Sequence, residues 1–407
     1  MPVLRNIGVL ARCLPAGAQD QIHSIENAAL AWNDGTVRWV GRESELPTSY
    51  RDWPSEDAQR RLVIPGLVDC HTHLAFAGWR AEEFELRLKG KSYLEIAAAG
   101  GGIVSTMTKT RAASRDDLLA RCRSHLTAMA RLGITTVEAK SGYGLDLEHE
   151  LRILRIYRDL ANESSQRIVA TLLAAHVVPP EYRQRRDEYL SLVIDQIIPE
   201  VARENLARFC DVFVEESAFS VADARRIFEA GRRHGLRPKL HADQLTSCGG
   251  AELAGEVQAA SADHLEQVST DGMGRLLSGG VIAVSLPFAS LYLGLAPMPA
   301  RQLIALGVPV AVATDFNPGS APSYHLPVAM TLACLTQRMT PAETLKGATI
   351  IAARAVGLEE DVGSLEEGKS ADFVVLDAPS VTHWLYHLTP SACVLTVARG
   401  KELWRAG

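Results

Sequence analysis

The chain has 407 residues, 47% of them hydrophobic and 22% charged, enough to bury one large core or two smaller ones as a soluble globular protein. Its formal net charge is -6 and its basic residues are scattered, which excludes the electrostatic footprint of a nucleic-acid binder. Seven cysteines without a CxxC pair or regular spacing read as reduced thiols of a cytoplasmic protein, and the first residues lack the apolar stretch of a signal peptide.

In chain order, residues 1–60 hold short β-rich runs, and those at 28–32 and 36–40 flank Asn33-Asp34-Gly35, which predicts a hairpin. From 61 to 361, apolar runs alternate with amphipathic segments, the pattern of an α/β fold with a parallel (β/α)8 TIM-like barrel. Eight strand ends are expected at His73, Lys140, His176, Glu215, His241, His264, Ser285 and Asp315. Helices are predicted over 116–131, stopped by Gly133, and over 147–160. Gly100-Gly101-Gly102 ends an apparent helix and reads either as a flexible stop or as a mobile lid. Arg183, Arg185 and Arg186 read as a solvated helix face. Residues 276–300 carry no charge and are long enough to span a bilayer, but Gly279, Gly280, Gly294, Pro287, Pro297 and Pro299 break any continuous helix. The expectation there is a buried strand over 281–286 running into a loop, and no membrane partner. From 362 to 407 β-rich runs return at 372–376 and 394–397, and the two chain ends are expected to pair into one small composite β-sandwich beside the barrel.

The chemistry concentrates in His71-Thr72-His73. Two histidines two apart on a strand face the same way for packing reasons as well as for metal binding, so the pair alone is weak evidence. Three more candidate ligands or proton carriers, His241, His264 and Asp315, each close an apolar run of their own. Barrel enzymes place their reacting groups at the C-terminal mouth of the strands, and the set reads as a metal-activated water held there.

The stretch Pro65-Gly66-Leu67-Val68-Asp69-Cys70-His71-Thr72-His73, followed by His241, His264, Asp315 and Gly368-Lys369-Ser370-Ala371-Asp372-Phe373, resembles the amidohydrolase superfamily. Within it the chain is similar to the imidazolonepropionases, through residues 84–90, 98–103, Glu138-Ala139-Lys140-Ser141-Gly142-Tyr143-Gly144, 240–244 and Ala313-Thr314-Asp315-Phe316-Asn317-Pro318-Gly319-Ser320. The resemblance implies hydrolysis of the cyclic amide of 4-imidazolone-5-propanoate to N-formimidoyl-L-glutamate, a step of histidine degradation. It implies one divalent ion, Zn2+ or Fe2+, on His71, His73, His241 and Asp315, because neutral imidazoles and one carboxylate suit either cation and leave a position for water. Strand four carries Glu215 rather than the lysine that bridges two metals in binuclear relatives, and the nearby Lys140 falls on strand two, so one metal is expected, with Glu215 left as a candidate bridge to a second.

His264 is then free to act as base and Asp315 to carry a proton. Arg80, Tyr143 and His176 bind the small anionic substrate by resemblance, with Gln244, Asn317, Gly319 and Ser320 in supporting contacts. Each also has a plainer reading: Arg80 in an ion pair with Glu82 or Glu83, His176 as a core histidine, Tyr143 packing a turn. Cys70 stands where relatives often have proline, and Gln244 where some carry glutamate. A mononuclear nucleobase deaminase would share the ligands but usually needs a glutamate at the position of Gln244. A catalytically inactive barrel binding protein would be expected to lose ligands that are all present here. A homodimer is the assembly that the resemblance implies.

Overall fold

The computed structural model describes residues 2–91, 95–96 and 99–407; Ala98, within one of the stretches that carry the resemblance, lies outside the described residues. The N-terminal end forms β1 (Val3–Ala11), β2 (Ser24–Asn33), β3 (Thr36–Arg42), β4 (Ser55–Asp57) and β5 (Leu62–Pro65). Asp34 and Gly35 join β2 to β3 with φ of 50° and 76°, the double left-handed turn that matches the twist of a tight hairpin. Next come β6 (Leu67–Asp69), β7 (Ile134–Lys140), β8 (Arg167–Ala175), β9 (Phe209–Val214), β10 (Arg237–Ala242), β11 (Ser261–His264), β12 (Ile282–Ser285) and β13 (Val310–Val312). The C-terminal end adds β14 (Phe373–Leu376), β15 (Cys393–Ala398) and β16 (Lys401–Arg405).

Strands from both ends make one sheet, in the order β16-β15-β14-β5-β1-β2-β3 with β4 beside β1. It encloses its own apolar interior, where Trp32 from one end meets Phe373 from the other edge to face at 4.9 Å. Leu62–Pro65, within the segment expected to open the barrel, pairs instead with β1 and β14 of this sheet. Gly66 alone separates it from the barrel, and a Cβ there would fall 2.2 Å from Thr135 Oγ1, so only glycine allows the strands to pass this closely.

Strands β6 to β13 lie side by side in sequence order, each parallel to the next. The ring closes beyond the ends of β6 and β13, where Thr72 bridges Phe316: Asp315 N donates to His71 O at 3.0 Å, and His73 N to Phe316 O at 2.8 Å. The two expected helices are present as Arg115–Ala130 and Leu147–Glu163, capped by the side chains of Ser114 and Asp146. Both bury one apolar stripe, Leu118, Cys122, Leu126 and Met129 in the first, Leu151, Leu154 and Tyr157 in the second.

Three local expectations change. The segment after β12 is a helix, Pro287–Leu293, started by a proline at its first turn, rather than a loop. The glycine triplet follows helical residues 95–96, as expected, and also opens a helix, Gly102–Ala112, whose Gly102 N–H is held by Glu83 Oε1 at 2.9 Å. Of the three arginines, Arg183 and Arg185 are exposed as expected, while Arg186 is half-buried, pairing with Asp223 at 2.7 Å and lying over the Phe219 ring. No helix among the described residues is long and apolar enough to cross a membrane.

The barrel interior below the mouth is ionic. Lys140 Nζ lies 2.7 Å from Asp211, 3.0 Å from Glu138 and 3.4 Å from Asp263, while Lys239 Nζ reaches Glu138 at 2.9 Å. All five groups are buried. Burial alone would strip Lys140 of its proton, but Asp211, Glu138 and Asp263 outweigh that and hold the ammonium charged. Removing it leaves carboxylates facing one another in a medium that cannot solvate them. Lys140→Met is therefore expected to lower the unfolding free energy by about 3–5 kcal/mol, the cost of breaking a buried pair from one side. Urea unfolding of metal-free protein measures it, and a change within about 1 kcal/mol, as for an exposed pair, would contradict the layer's structural role.

Candidate active site

A cleft opens at the C-terminal mouth of the barrel, lined among others by His73, Arg80, Tyr143, His176, His241, Gln244, His264, Asp315, Asn317 and Ser320. Thus most of the site residues expected from sequence converge on one place. His71 lies beneath, fully buried, and Gly319 packs behind Arg80, where a Cβ would fall 1.1 Å from Arg80 Nη2.

The metal-type donors form a tight group. His71 Nε2 and His73 Nε2 each lie 3.4 Å from Asp315 Oδ1, and His241 Nε2 lies 3.4 Å from His73 Nε2. His71, His73 and Asp315 offer one atom each within 4.8 Å of one another. The other ring nitrogens show which way the lone pairs point. His71 Nδ1 bonds Asp263 Oδ2 at 2.6 Å, and His241 Nδ1 bonds Asp211 Oδ1 at 3.1 Å. A carboxylate accepts, so Nδ1 carries the hydrogen in both rings and each Nε2 presents a lone pair to the same point. His71 Nε2 is buried and has no hydrogen-bond partner, as a cation-binding atom would be. The residues fit a divalent ion.

The electrostatics follow from burial and these partners. Burial and Lys140 disfavour a second proton on His71, but Asp263 and Asp315 more than offset them and push its pKa up to about 9, so a cation at Nε2 competes with a proton. Burial pulls His241 down to about 3 against the attraction of Asp211. His176 is held well below the ordinary histidine value by burial and by its histidine neighbours; it stacks on His73 at 5.2 Å and bonds Gly142 O through Nδ1 at 3.1 Å. As a neutral ring donating from Nδ1, it presents an acceptor at Nε2.

Backbone geometry aims two side chains that strand alternation would not. Asp263 faces the axis, so the next residue in an extended strand would point outward. His264 has φ of 81°, a left-handed conformation rare outside glycine, and this turns its ring into the cleft. Asp315, with φ of 55°, is turned in the same way at the closing bridge.

Arg80 is 5% exposed, and its Nε and Nη1 have no hydrogen-bond partner. Its neighbour is Glu83, at 3.6 Å, so the ion-pair reading and the cleft-facing reading both describe it. In the turn after β13, Asn317 Oδ1 accepts from the amides of Gly319 at 2.8 Å and Ser320 at 2.9 Å, so the turn presents side chains rather than those amides to the cleft. Glu215 accepts from the backbone of Leu245 at 2.9 Å and from Thr246, and serves a loop rather than the histidine group.

Asp211, Asp263 and Glu138 were not anticipated as site residues. A signal for two of them exists, because Glu138 and Lys140 sit at i, i+2 in an otherwise apolar strand and Asp211 is the one charged residue of Phe209–Val214, placing charge on the face turned to the barrel axis.

Residues 62–403 match the amidohydrolase family. The imidazolonepropionase of Shouchella clausii (strain KSM-K16) is 49% identical over 351 residues, 86% of this chain and 78% of that protein. That of Geobacillus kaustophilus (strain HTA426) is 48% identical over 387 residues, 94% of this chain and 91% of that protein. The chain belongs to the imidazolonepropionases of the amidohydrolase family. It is accordingly a hydrolase of histidine degradation. Among solved structures it resembles E. coli guanine deaminase, at a TM-score of 0.78 and 15% identity covering 100% of both chains. It also resembles an adenosine deaminase from Xanthomonas campestris with bound zinc, at 0.73 and 17%, covering 98% of this chain and 92% of that one. At such identities these neighbours establish the fold alone.

If Asp263 fixes the His71 tautomer, Asp263→Asn should weaken divalent metal binding about 10–100-fold, the usual effect of losing a carboxylate behind a ligating histidine. Competition with a chromogenic chelator reads this directly, and an unchanged affinity would remove His71 from the ligand set.

Proposed function

We propose that this enzyme of the imidazolonepropionase family opens the ring of 4-imidazolone-5-propanoate by hydrolysis of its cyclic amide C–N bond, giving N-formimidoyl-L-glutamate, with His264 as base. The observation that carries the reading is that contacts of 3.4 Å link His71, His73, His241 and Asp315 at one cleft with a buried arginine that has two unpartnered nitrogens. In this reading those four residues hold one divalent ion, zinc or ferrous iron. Such an ion, when bound, lowers the pKa of a coordinated water from 15.7 to about 7 and polarises a carbonyl.

The chain's own residues do the rest. Arg80 takes the propionate through charge-assisted hydrogen bonds and fixes the ring's distance from the histidines. Tyr143, His176 and Gln244 line the cleft around the ring, with His176 accepting at Nε2. His264 receives the first proton lost by the attacking water, and Asp315 relays the second, from the new hydroxyl on the carbonyl carbon, to the ring nitrogen as its bond to that carbon breaks. The carbonyl carbon becomes the product's second carboxylate, for which Asn317 and Ser320 lie at the cleft wall. Gly319 supports these contacts by leaving room for Arg80.

The reading includes a homodimer in the cytoplasm, as the family resemblance implies, and the seven unpaired cysteines suit a reducing compartment. Gln244 tells against the deaminase alternative, because its amide cannot shuttle protons. The glycine segment before Ile103 is proposed as the lid of the cleft.

At equal bound metal, His264→Ala should lower kcat about 10²–10⁴-fold, followed by the ultraviolet absorbance of freshly generated substrate. Arg80→Met should raise KM about tenfold or more with a smaller effect on kcat, as expected for a lost charge-assisted contact. Wild-type kcat in the first variant would remove His264 from the mechanism.

A further inference from the structure

Two buried groups face each other near the cleft without a partner. His264 Nδ1 and Glu266 Oε2 each lack a hydrogen-bond partner, and they lie 3.7 Å apart. Glu266 is 7% exposed and is not among the described residues that line the cleft; it meets the site through His264. Its other oxygen, Oε1, accepts from Ser290 Oγ at 2.8 Å, in the helix Pro287–Leu293. Leu293 of that helix lines the cleft.

The backbone explains why two residues so close in sequence meet. His264 and Leu265 are consecutive left-handed residues, with φ of 81° and 66°. They reverse the chain after β11, so that residue 266 folds back toward the ring of 264. The reversal is anchored by Leu265 N to Ala242 O at 3.0 Å and Gln267 N to Asp243 O at 2.8 Å. Two strained residues in succession persist only where their surroundings over-determine them. A carboxylate held opposite an imidazole nitrogen decides which nitrogen carries the hydrogen, and hydrogen bonds of this kind are often long before substrate arrives.

We propose that Glu266 is a positioning residue for His264: it accepts the Nδ1 hydrogen, keeps the Nε2 lone pair turned to the cleft, and is itself held by Ser290. The inference rests on the reading of His264 as base.

The test compares Glu266→Met, Glu266→Gln and His264→Ala in metal-loaded enzyme. Glu266→Met keeps the side-chain length and leaves Nδ1 without an acceptor, so kcat should fall about 100-fold while KM and bound metal stay at wild-type values. Glu266→Gln can still accept through its amide oxygen and should recover part of that loss, to about tenfold below wild type. In the His264→Ala background the same Met change should have no further effect, whereas a merely structural role would give additive losses. If the Met variant fails to fold, the Gln variant decides, and wild-type kcat there overturns the inference. An inactive His264→Ala beside a Glu266→Met with wild-type kcat overturns it as well and leaves the base assignment standing. A fully active His264→Ala overturns the base assignment itself.

Discussion

The site depends on how the barrel closes. β6 and β13 meet through the bridge of Thr72 and Phe316, and its hydrogen bonds run from Asp315 to His71 and from His73 to Phe316. Three of the four proposed ligands are therefore residues of the closing bridge or its immediate neighbours. The strands cannot shift in register without separating the histidine pair from the carboxylate, so fold closure and ligand geometry are one constraint.

Below that bridge the ionic layer sets the chemistry of the ligands. Asp263 and Asp211 hold the hydrogens of His71 and His241 on Nδ1, and against burial the charged form is favoured at Asp211 by His241 and Lys140 and at Asp263 by Lys140 and Lys239. An apolar barrel core would pack as well but would leave the ring tautomers undecided. The cost of desolvating five charges is offset by their mutual pairing, and what is obtained is a defined orientation of lone pairs rather than extra stability.

Much of this was legible in the sequence, for identifiable reasons. Parallel strands buried on both faces read as apolar runs, so all eight could be located, and five of the side chains closing those runs, His73, His176, His241, His264 and Asp315, line the cleft. β16 was missed because Lys401–Arg405 is mostly polar and makes an edge strand, stabilised by pairing with β15 rather than by its own pattern. Leu62–Pro65 reads as continuous with Leu67–Asp69, and only the packing of Gly66 on Thr135 shows that the chain changes sheets there. The helix Pro287–Leu293 was hidden by glycines and prolines that serve as its ends rather than as breaks. The roles of Asp211 and Asp263 depend on contacts across the barrel, which no local window contains. Glu266 is separated from His264 by one residue, yet only the left-handed backbone brings them together.

The central claim is that this barrel breaks a ring C–N bond of an anionic imidazolone rather than expelling an exocyclic amine. Its most direct test is product analysis by NMR of metal-loaded wild-type protein incubated with 4-imidazolone-5-propanoate, beside parallel incubations with guanine, adenosine and cytosine assayed for ammonia. The account predicts stoichiometric N-formimidoyl-L-glutamate from the first and no ammonia from the others. Intact imidazolone in the presence of bound metal, with ammonia released from a nucleobase or nucleoside, would contradict it.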